Sequence, residues 1–217
     1  MTWADYIGPL SKGAWVTVQL AVWSTFLGAL LSFVFGTGKL SSNWAVKGLS
    51  IVYIEVFRGT SLLVQLFWLF YALPIIGLTL SPLSAGILGL SLNIGAYGAE
   101  VVRGALEATS RGQREAAIAL NFTPRQTLWR ILLPQALLEM MPPFGNLAVQ
   151  NLKDSALVSL ITLADLTYQA QNLRNITLQT VPILTLTLLL YFAMALLLTA
   201  AMRWLERRVR YAAGYGR

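Results

Sequence analysis

The stretch Gln113–Pro134 reads QREAAIALNFTPRQTLWRILLP and separates two strongly apolar parts of the chain. Ser110 and Gln113, at its start, have the spacing of a capping box, in which two side chains bond free backbone amides at a helix N-terminus. Pro134, at its end, restricts the backbone of the residue before it and marks a new segment. The stretch is too polar to cross a bilayer, so we predict a polar connection between apolar helices.

A second helix start lies inside this connection. Thr123 and Gln126 repeat the capping-box spacing, and Pro124 occupies the first helical position, where its missing N–H costs nothing. Asn121 precedes this start and tolerates the left-handed conformation that ends many helices. The sequence therefore predicts a helical hairpin, made of a short helix, a tight turn and a second short helix.

The composition indicates a membrane protein. Of the 217 residues, 56% are hydrophobic and 12% are charged, whereas a soluble domain carries roughly twice that charged fraction. The predicted fold class is therefore all-α and polytopic. The chain has no cysteine and no histidine, which excludes thiolate metal sites, histidine triads and the HExxH zinc motif. We expect no catalytic residue, metal site or cofactor in this chain.

Five apolar segments are long enough to cross a bilayer, which takes about 20 residues each. We expect one domain, 1–217, with the polar connection at residues 107–133. No cleavable signal is predicted, because Asp5 and Lys12 precede a full-length apolar run rather than a short one. The predicted spans cover residues 14–36, 49–73, 83–102, 134–153 and 181–202.

Lysine and arginine residues are divided unequally between the two ends of these spans. Eleven lie at one end: Lys39, Lys47, four arginines of the polar connection and five of the tail. Three lie at the other end: Lys12, Lys153 and Arg174. Because positive charge concentrates on the cytoplasmic side, the N-terminus is predicted outside, with the polar connection and the C-terminus in the cytoplasm.

The predicted fourth span carries polar groups on one helical face. Asn146 and Gln150 are four residues apart, and the ionisable residues Lys153 and Asp154 follow at the next turn. A polar face is unfavourable against lipid, so it is expected to meet a partner helix or an aqueous path. We favour the path because the stripe ends in ionisable groups. The alternative is that these groups hold helices together by hydrogen bonds.

Two further spans contain candidates for the same path. Glu55 and Arg58 are three residues apart and are predicted to pair across one helical turn. Such a pair either serves the path or is only a salt bridge at the membrane interface. Asn93, Tyr97 and Glu100 have similar helical spacing, although a tyrosine more often packs than binds. The predicted pathway residues are Glu55, Arg58, Asn93, Glu100, Asn146, Gln150, Lys153 and Asp154.

The polar connection resembles the EAA loop of permease subunits of ABC importers. That family pattern is Glu-Ala-Ala, three spacers, Gly, nine spacers, Ile, one spacer and Leu-Pro. All spacings are kept here, with Asn121 in place of the glycine. In the family this loop docks on a cytosolic ATPase. The coupling residues implied by the resemblance are Glu115, Ala116, Ala117, Asn121, Ile131, Leu133 and Pro134.

The residues of the connection also allow three other interpretations. It could be an ordinary solvated amphipathic loop. It could be a DNA-binding helix-turn-helix, although a hairpin held between two membrane spans could not easily enter a major groove. It could also be an amphipathic helix on the membrane surface, where arginines favour anionic lipid, and this role is compatible with coupling.

The resemblance extends along nearly the whole chain to permeases for polar amino acids. It rests on Tyr53–Gln65, Asn93–Gly104, Leu152–Val158 and Leu205–Arg208, which follow one another in the family order. Ser61 departs from the family pattern, which has proline there. The variants at positions 61 and 121 resemble the branch that carries the compatible solutes ectoine and hydroxyectoine.

The resemblance implies a type I ABC importer (MetI-like) permease in the bacterial inner membrane, with a five-helix core and a coupling-helix hairpin. It implies three protein partners: a cytosolic ABC ATPase dimer that binds the ATP, a second permease subunit, and a periplasmic or lipid-anchored solute-binding protein. No nucleic acid is expected. Arg58 and Lys153 are candidates for a substrate carboxylate, and Asp154 for an ammonium group. A membrane scaffold or channel subunit without an ATPase is the alternative from another class.

Overall fold

The computed structural model describes residues 3–109 and 111–212, and every regular element in these ranges is helical. The all-α fold class is therefore confirmed. Short 3-10 or π-helical turns follow α3, α6 and α7. The helices are α1 Trp3–Lys39, α2 Trp44–Gly59, α3 Leu62–Phe67, α4 Pro82–Ala108, α5 Arg111–Ala119, α6 Pro124–Thr127, α7 Leu133–Asp154, α8 Leu166–Thr177 and α9 Thr180–Ala212.

Three of the described helices are long and apolar enough to cross a membrane. They cover Tyr6–Lys39, Pro82–Ala108 and Thr180–Tyr211. The pair Trp44–Gly59 and Leu62–Ile76 makes a fourth if it counts as one span, since its two halves meet at a bend of 105°. The segment predicted as span 49–73 is thus not one helix. Helix α7 lies where the fourth span is predicted.

Helices α1 and α4 approach each other backbone to backbone. A Cβ atom added at Gly36 would lie 2.7 Å from the carbonyl oxygen of Ala99, and one added at Gly98 would lie 2.9 Å from the Cβ of Ser32. Ser32 also donates a hydrogen bond from Oγ to the carbonyl oxygen of Gly95, at 3.2 Å. Small residues permit such contacts between membrane helices, and α1 packs against Gly95 and Gly98 of α4.

Two tertiary contacts define the ends of the helix bundle. Lys39, at the end of α1, is bonded to Glu100, about two turns before the end of α4, and α4 leads into the hairpin. We call this the hairpin end. Tyr6, near the start of α1, donates a hydrogen bond to Gln179, just before α9. We call this the opposite end, and α1 and α4 run parallel between the two.

Helix α8 is anchored at the opposite end by a buried cap. Asp165 accepts hydrogen bonds from the backbone N–H groups of Tyr168, at 2.9 Å, and Thr167, at 3.3 Å. Thr17 of α1 accepts a bond from the N–H of Leu166. Burial raises the pKa of the Asp165 carboxyl to about 6. The start of α8 is therefore fixed to α1 by buried groups, since Asp165, Leu166 and Thr17 are fully buried.

The second half of the hairpin is continuous with α7. Helix α6 leads through a π-helical turn, Leu128–Leu132, directly into α7. Pro142 and Pro143 lie inside α7, and each lacks the N–H that would bond a carbonyl one turn earlier. The helix therefore carries a weakened point near its middle.

The α1–α4 contact predicts unequal effects of two glycine substitutions. Gly36→Ala should lower the free energy of unfolding by about 1–3 kcal/mol, because the added methyl group meets backbone. Gly104→Ala, on the same helix pair, adds a methyl group with nothing within 4 Å, so it should be neutral or stabilise by up to about 1 kcal/mol. Thermal unfolding of the purified chain, followed by tryptophan fluorescence, measures both. Equal midpoints for the two variants would contradict the close approach.

Candidate functional site

The break between α2 and α3 is closed by side-chain amides. Gln65 is 9% exposed, and its Nε2 donates to the carbonyl oxygens of Phe57, at 3.0 Å, and Thr60, at 3.3 Å. Asn93 of α4 donates from Nδ2 to the same Phe57 oxygen, at 3.1 Å, and to Oε1 of Gln65, at 3.3 Å. Backbone carbonyls freed by a break in a membrane segment need such partners. Gln65 and Asn93 therefore stabilise the break.

A cavity of about 460 Å³ lies beside this break, between the start of α3, α4 and α7. Its size suits a small solute. Its apolar lining includes Leu62, Ile94, Leu147 and Leu157. Its polar lining consists of Thr60, Ser61, Asn93, Tyr97, Gln150, Asn151 and Asp154.

Opposite charges stand in and beside the cavity. Asp154 is the one carboxylate among the described lining residues, and it accepts a hydrogen bond from Nε2 of Gln150 at 2.8 Å. The guanidinium carbon of Arg58 lies 5.4 Å from the ring centroid of Tyr97, a lining residue. That distance is typical of a cation–π contact. A solute in the cavity would thus meet a carboxylate in the wall and a guanidinium at its border.

The structure brings together half of the predicted pathway residues. Asn93, Gln150 and Asp154 line the cavity, and Arg58 borders it. Asn146 and Lys153 do not line it. They lie with Gln150 on the exposed face of α7. The predicted polar stripe is therefore one helical face, but only its end nearest Asp154 reaches the cavity.

The predicted pairing of Glu55 with Arg58 is wrong. Arg58 lies over the ring of Tyr97 instead, and Lys39 is the ion-pair partner of Glu55, at 3.9 Å. The reason is that Lys39 of α1 and the aromatic ring on α4 stand close to α2. Lys39 also binds Glu100, at 2.5 Å. Glu55 and Glu100 thus belong to an ionic cluster and do not line the cavity.

Sequence reasoning missed four polar residues of this region. Thr60 and Ser61 form the break and line the cavity, and Gln65 holds the break closed. Asn151 lines the cavity and also donates from Nδ2 to Oγ of Ser24 at 2.6 Å, which ties α7 to α1. A signal was present, since glycine and two hydroxyl residues at 59–61 interrupt an apolar run. The family proline at position 61 also suits the first turn of a new helix.

The hairpin turn has the predicted geometry. Thr123 donates its backbone N–H to Oε1 of Gln126 at 2.9 Å, and the N–H of Gln126 reaches Oγ1 of Thr123 at 3.3 Å. Asn121 has φ of 56°, in the left-handed region. The second capping box is therefore confirmed. The first involves Ser110, which lies outside the described residues.

The hairpin has an inner and an outer side. Ala117 is fully buried, and Ile131 and Leu133 pack against the core formed where α4 meets α7. Asn121 and Pro134 are exposed at the turn and at the start of α7. The outer side carries Glu115, Ala116, Ile118, Leu120 and Trp129, all exposed. An acidic side chain beside exposed apolar ones is a surface suited to docking a protein.

The sequence of the chain matches a known family of membrane proteins. Residues 24–211 fit the family described as the inner membrane component of binding-protein-dependent transport systems. The chain belongs to this family. The matched range includes the break, the cavity and the hairpin of this permease. The protein is therefore a multi-pass component of an ABC importer in the inner membrane. It is a transport component and not an enzyme.

Named relatives and solved structures agree with this assignment. A probable amino-acid ABC transporter permease of Sinorhizobium fredii is 59% identical, over 100% of this chain and 94% of the relative. The permease protein of the Escherichia coli glutamine transport system is 32% identical, over 93% of each. An importer of this family works with an ATPase and a solute-binding protein.

The fold is that of type I importers. A crystal structure of an amino acid ABC transporter with histidines has a TM-score of 0.87 and 33% identity, over 94% of this chain and 96% of that one. An inward-facing methionine ABC transporter has a TM-score of 0.79 over 96% and 99% of the two chains. At 21% identity, the second match concerns the fold alone.

The amides at the break predict a stability loss on substitution. Gln65→Leu should lower the free energy of unfolding by about 1–3 kcal/mol, because buried carbonyls lose their donor. Gln171→Leu is the matched control, since Gln171 is exposed on α8. Thermal unfolding of both variants in the same detergent gives the comparison. If Gln65→Leu unfolds at the wild-type temperature, the amide does not hold the break.

Proposed function

We propose that this permease carries polar amino acids, or a closely related zwitterionic solute, through the cavity beside the α2–α3 break. The observation that carries this proposal is the presence of a carboxylate, Asp154, in the wall of the cavity and of a guanidinium, Arg58, at its border. The names of the Sinorhizobium fredii and Escherichia coli relatives, which specify amino acids and glutamine, support it.

Each polar group has a role that fits a zwitterion. The carboxylate of Asp154 accepts hydrogen bonds from an ammonium group, and Arg58 donates to a carboxylate in a bidentate fashion. Asn93 and Gln150 both donate and accept, so they fit either end of the solute. Lys153, the second cation predicted for the carboxylate, lies on the exposed face of α7. It would reach the solute only in a path shared with another subunit.

The hairpin end faces the cytoplasm in this proposal, and the N-terminus lies outside. The excess of positive charge at that end supports the orientation. A cytosolic ATPase dimer docks on the outer side of the hairpin and binds the ATP, so this chain needs no cofactor. A second permease subunit, of the same or a homologous chain, covers the polar face of α7. A periplasmic or tethered solute-binding protein delivers the solute at the opposite end.

Two alternatives receive less support. Ectoine and hydroxyectoine share the zwitterionic chemistry of amino acids, but the named relatives do not favour them over amino acids. A scaffold or channel without an ATPase does not fit membership of a binding-protein-dependent transport family. The experiments below test the coupling and the solute separately.

The coupling role of the hairpin predicts an uncoupled variant. Glu115→Lys should reduce the ATP hydrolysis that loaded binding protein stimulates by about fivefold or more, because it inverts a charge on the docking surface. Glu206→Lys makes the same charge change in the tail and should keep the stimulation. The measurement is ATP hydrolysis by the importer in liposomes, with and without loaded binding protein. If loaded binding protein stimulates ATP hydrolysis by Glu115→Lys as it does for the wild type, the hairpin does not couple the permease to the ATPase.

The cavity predicts a solute-affinity defect. Asp154→Asn should raise the apparent KM for transport by roughly 10-fold or more, because a charged hydrogen bond to the ammonium group is lost. Glu139→Gln removes an exposed carboxylate of α7 that does not line the cavity, so it should keep the wild-type KM. Uptake of candidate amino acids into proteoliposomes is measured, with co-purification of the ATPase as the check on assembly. Equal KM values for the two variants would exclude Asp154 as a solute ligand.

A further inference from the structure

Five charged side chains form a cluster near the hairpin end, outside the cavity. Lys39 of α1 lies 2.5 Å from Glu100 of α4 and 3.9 Å from Glu55 of α2. Arg103 binds Glu100 through Nε, at 2.9 Å, and Glu107 through Nη1. The cluster therefore joins three helices near their ends and reaches Glu107, the next-to-last residue of α4.

Burial singles out one pair in this cluster. The side chains of Lys39 and Glu100 are 20% and 18% exposed, whereas those of Glu107 and Glu55 are 49% and 65% exposed. Ion pairs that are partly shielded from water are screened less by salt than exposed ones. The Lys39–Glu100 pair is therefore the most shielded part of the cluster, and the outer acids are more exposed to water.

The cluster lies between the cavity and the hairpin along α4. Tyr97 lines the cavity, Glu100 follows one turn later, and Glu107 lies where the predicted polar connection begins. Helix α2 has the same layering, since Glu55 lies in the cluster and Thr60 lines the cavity. A displacement of the hairpin that reaches the cavity through α4 must therefore pass this layer.

The charges in the cluster are unbalanced. Three carboxylates share two cations, and each cation lies within 4 Å of two acids. Lys39 stands within 4 Å of acids on two different helices, Glu100 on α4 and Glu55 on α2. A shift of α2 against α4 would let Lys39 exchange one acid for the other. Such an exchange gives the cluster two discrete arrangements.

We propose that Lys39 and Glu100 form an ionic tie that couples hairpin movement to the cavity. The tie rests on the proposed function, and both side chains act as positioning residues that do not touch the solute. It holds the end of α1 to α4 in the arrangement described here, and Glu55 is the second acceptor for Lys39. The close packing at Gly36 and Gly98 holds α1 to α4 without the tie, so its loss affects motion more than folding.

The first test measures coupling in the reconstituted importer. Lys39→Met, Glu100→Gln and the double variant are compared for solute transported per ATP hydrolysed, and for the apparent KM. Each single variant should lower the ratio by about fivefold or more, with little further loss in the double variant, because both remove one interaction. Lys39→Arg should restore most of the ratio. Arg210→Gln, which breaks an exposed ion pair of the tail, should leave it unchanged.

Three results would overturn the tie. An unchanged ratio would do so, as would losses that simply add in the double variant. A raised KM with a normal ratio would show that these residues serve the solute instead. If wild-type hydrolysis does not respond to loaded binding protein at all, the proposed function fails, and the tie is judged by a second measurement.

That second measurement needs no ATPase. The chain contains no cysteine, so Ser42→Cys and Ala108→Cys place two spin labels on exposed sites near the ends of α1 and α4. Double electron–electron resonance measures the distribution of distances between the two labels, with the full chain in lipid nanodiscs. Labelled chain is diluted with unlabelled chain so that only distances within one chain are seen. The distribution should broaden in Lys39→Met and stay narrow in Lys39→Arg. The same distribution in both variants would contradict the tie.

Discussion

The contact between α1 and α4 is the constraint on which the other features of this permease depend. Apolar helices gain little from the hydrophobic effect inside a bilayer, so their association relies on close packing and hydrogen bonds. Gly36 and Gly98 provide the close packing, and Ser32 adds a hydrogen bond to the backbone of α4. With α4 fixed in this way, its other side chains have fixed positions as well. Asn93 reaches the break in α2–α3, and Glu100 reaches the end of α1.

The break itself explains why a cavity exists at this depth. A bend of 105° interrupts the hydrogen bonding of an apolar segment and frees backbone carbonyls, and two amides bond to them. Gln65 and Asn93 serve that purpose and also bring polarity into the bundle. Asp154 then has a partner in Gln150 rather than lipid around it. The polar groups of the site are therefore partly structural, because they hold the break and neighbouring helices together by hydrogen bonds.

The sequence predicted features that depend on residues close together in the chain. The capping box of Thr123 and Gln126 and the left-handed Asn121 follow from local geometry within one turn, and both are present. Composition was sufficient for the all-α membrane class. The first two signals depend only on neighbouring residues, and composition is an average over the whole chain. All of them can therefore be read without knowledge of the tertiary structure.

The charged and broken parts of the permease could not be predicted in this way. Helical spacing says which side chains share a face, but not which helix that face meets. Glu55 and Arg58 have the right spacing to pair, yet each has a closer partner on another helix. Lys39 and Glu100 are 61 positions apart, and no periodicity connects them. The break depends on Gln65, whose role is visible only when the bent backbone is in place.

The unbroken run from α6 into α7 has a mechanical consequence. Thirty-one residues, Pro124 to Asp154, form one rod between the hairpin turn and the wall of the cavity. Such a rod is about 45 Å long, so a tilt of about 5° at one end moves the other by about 4 Å. Pro142 and Pro143 divide the rod into two arms, and bending is expected to occur mainly at these two residues. The permease thus contains a jointed lever whose two arms end at the hairpin turn and at the wall of the cavity.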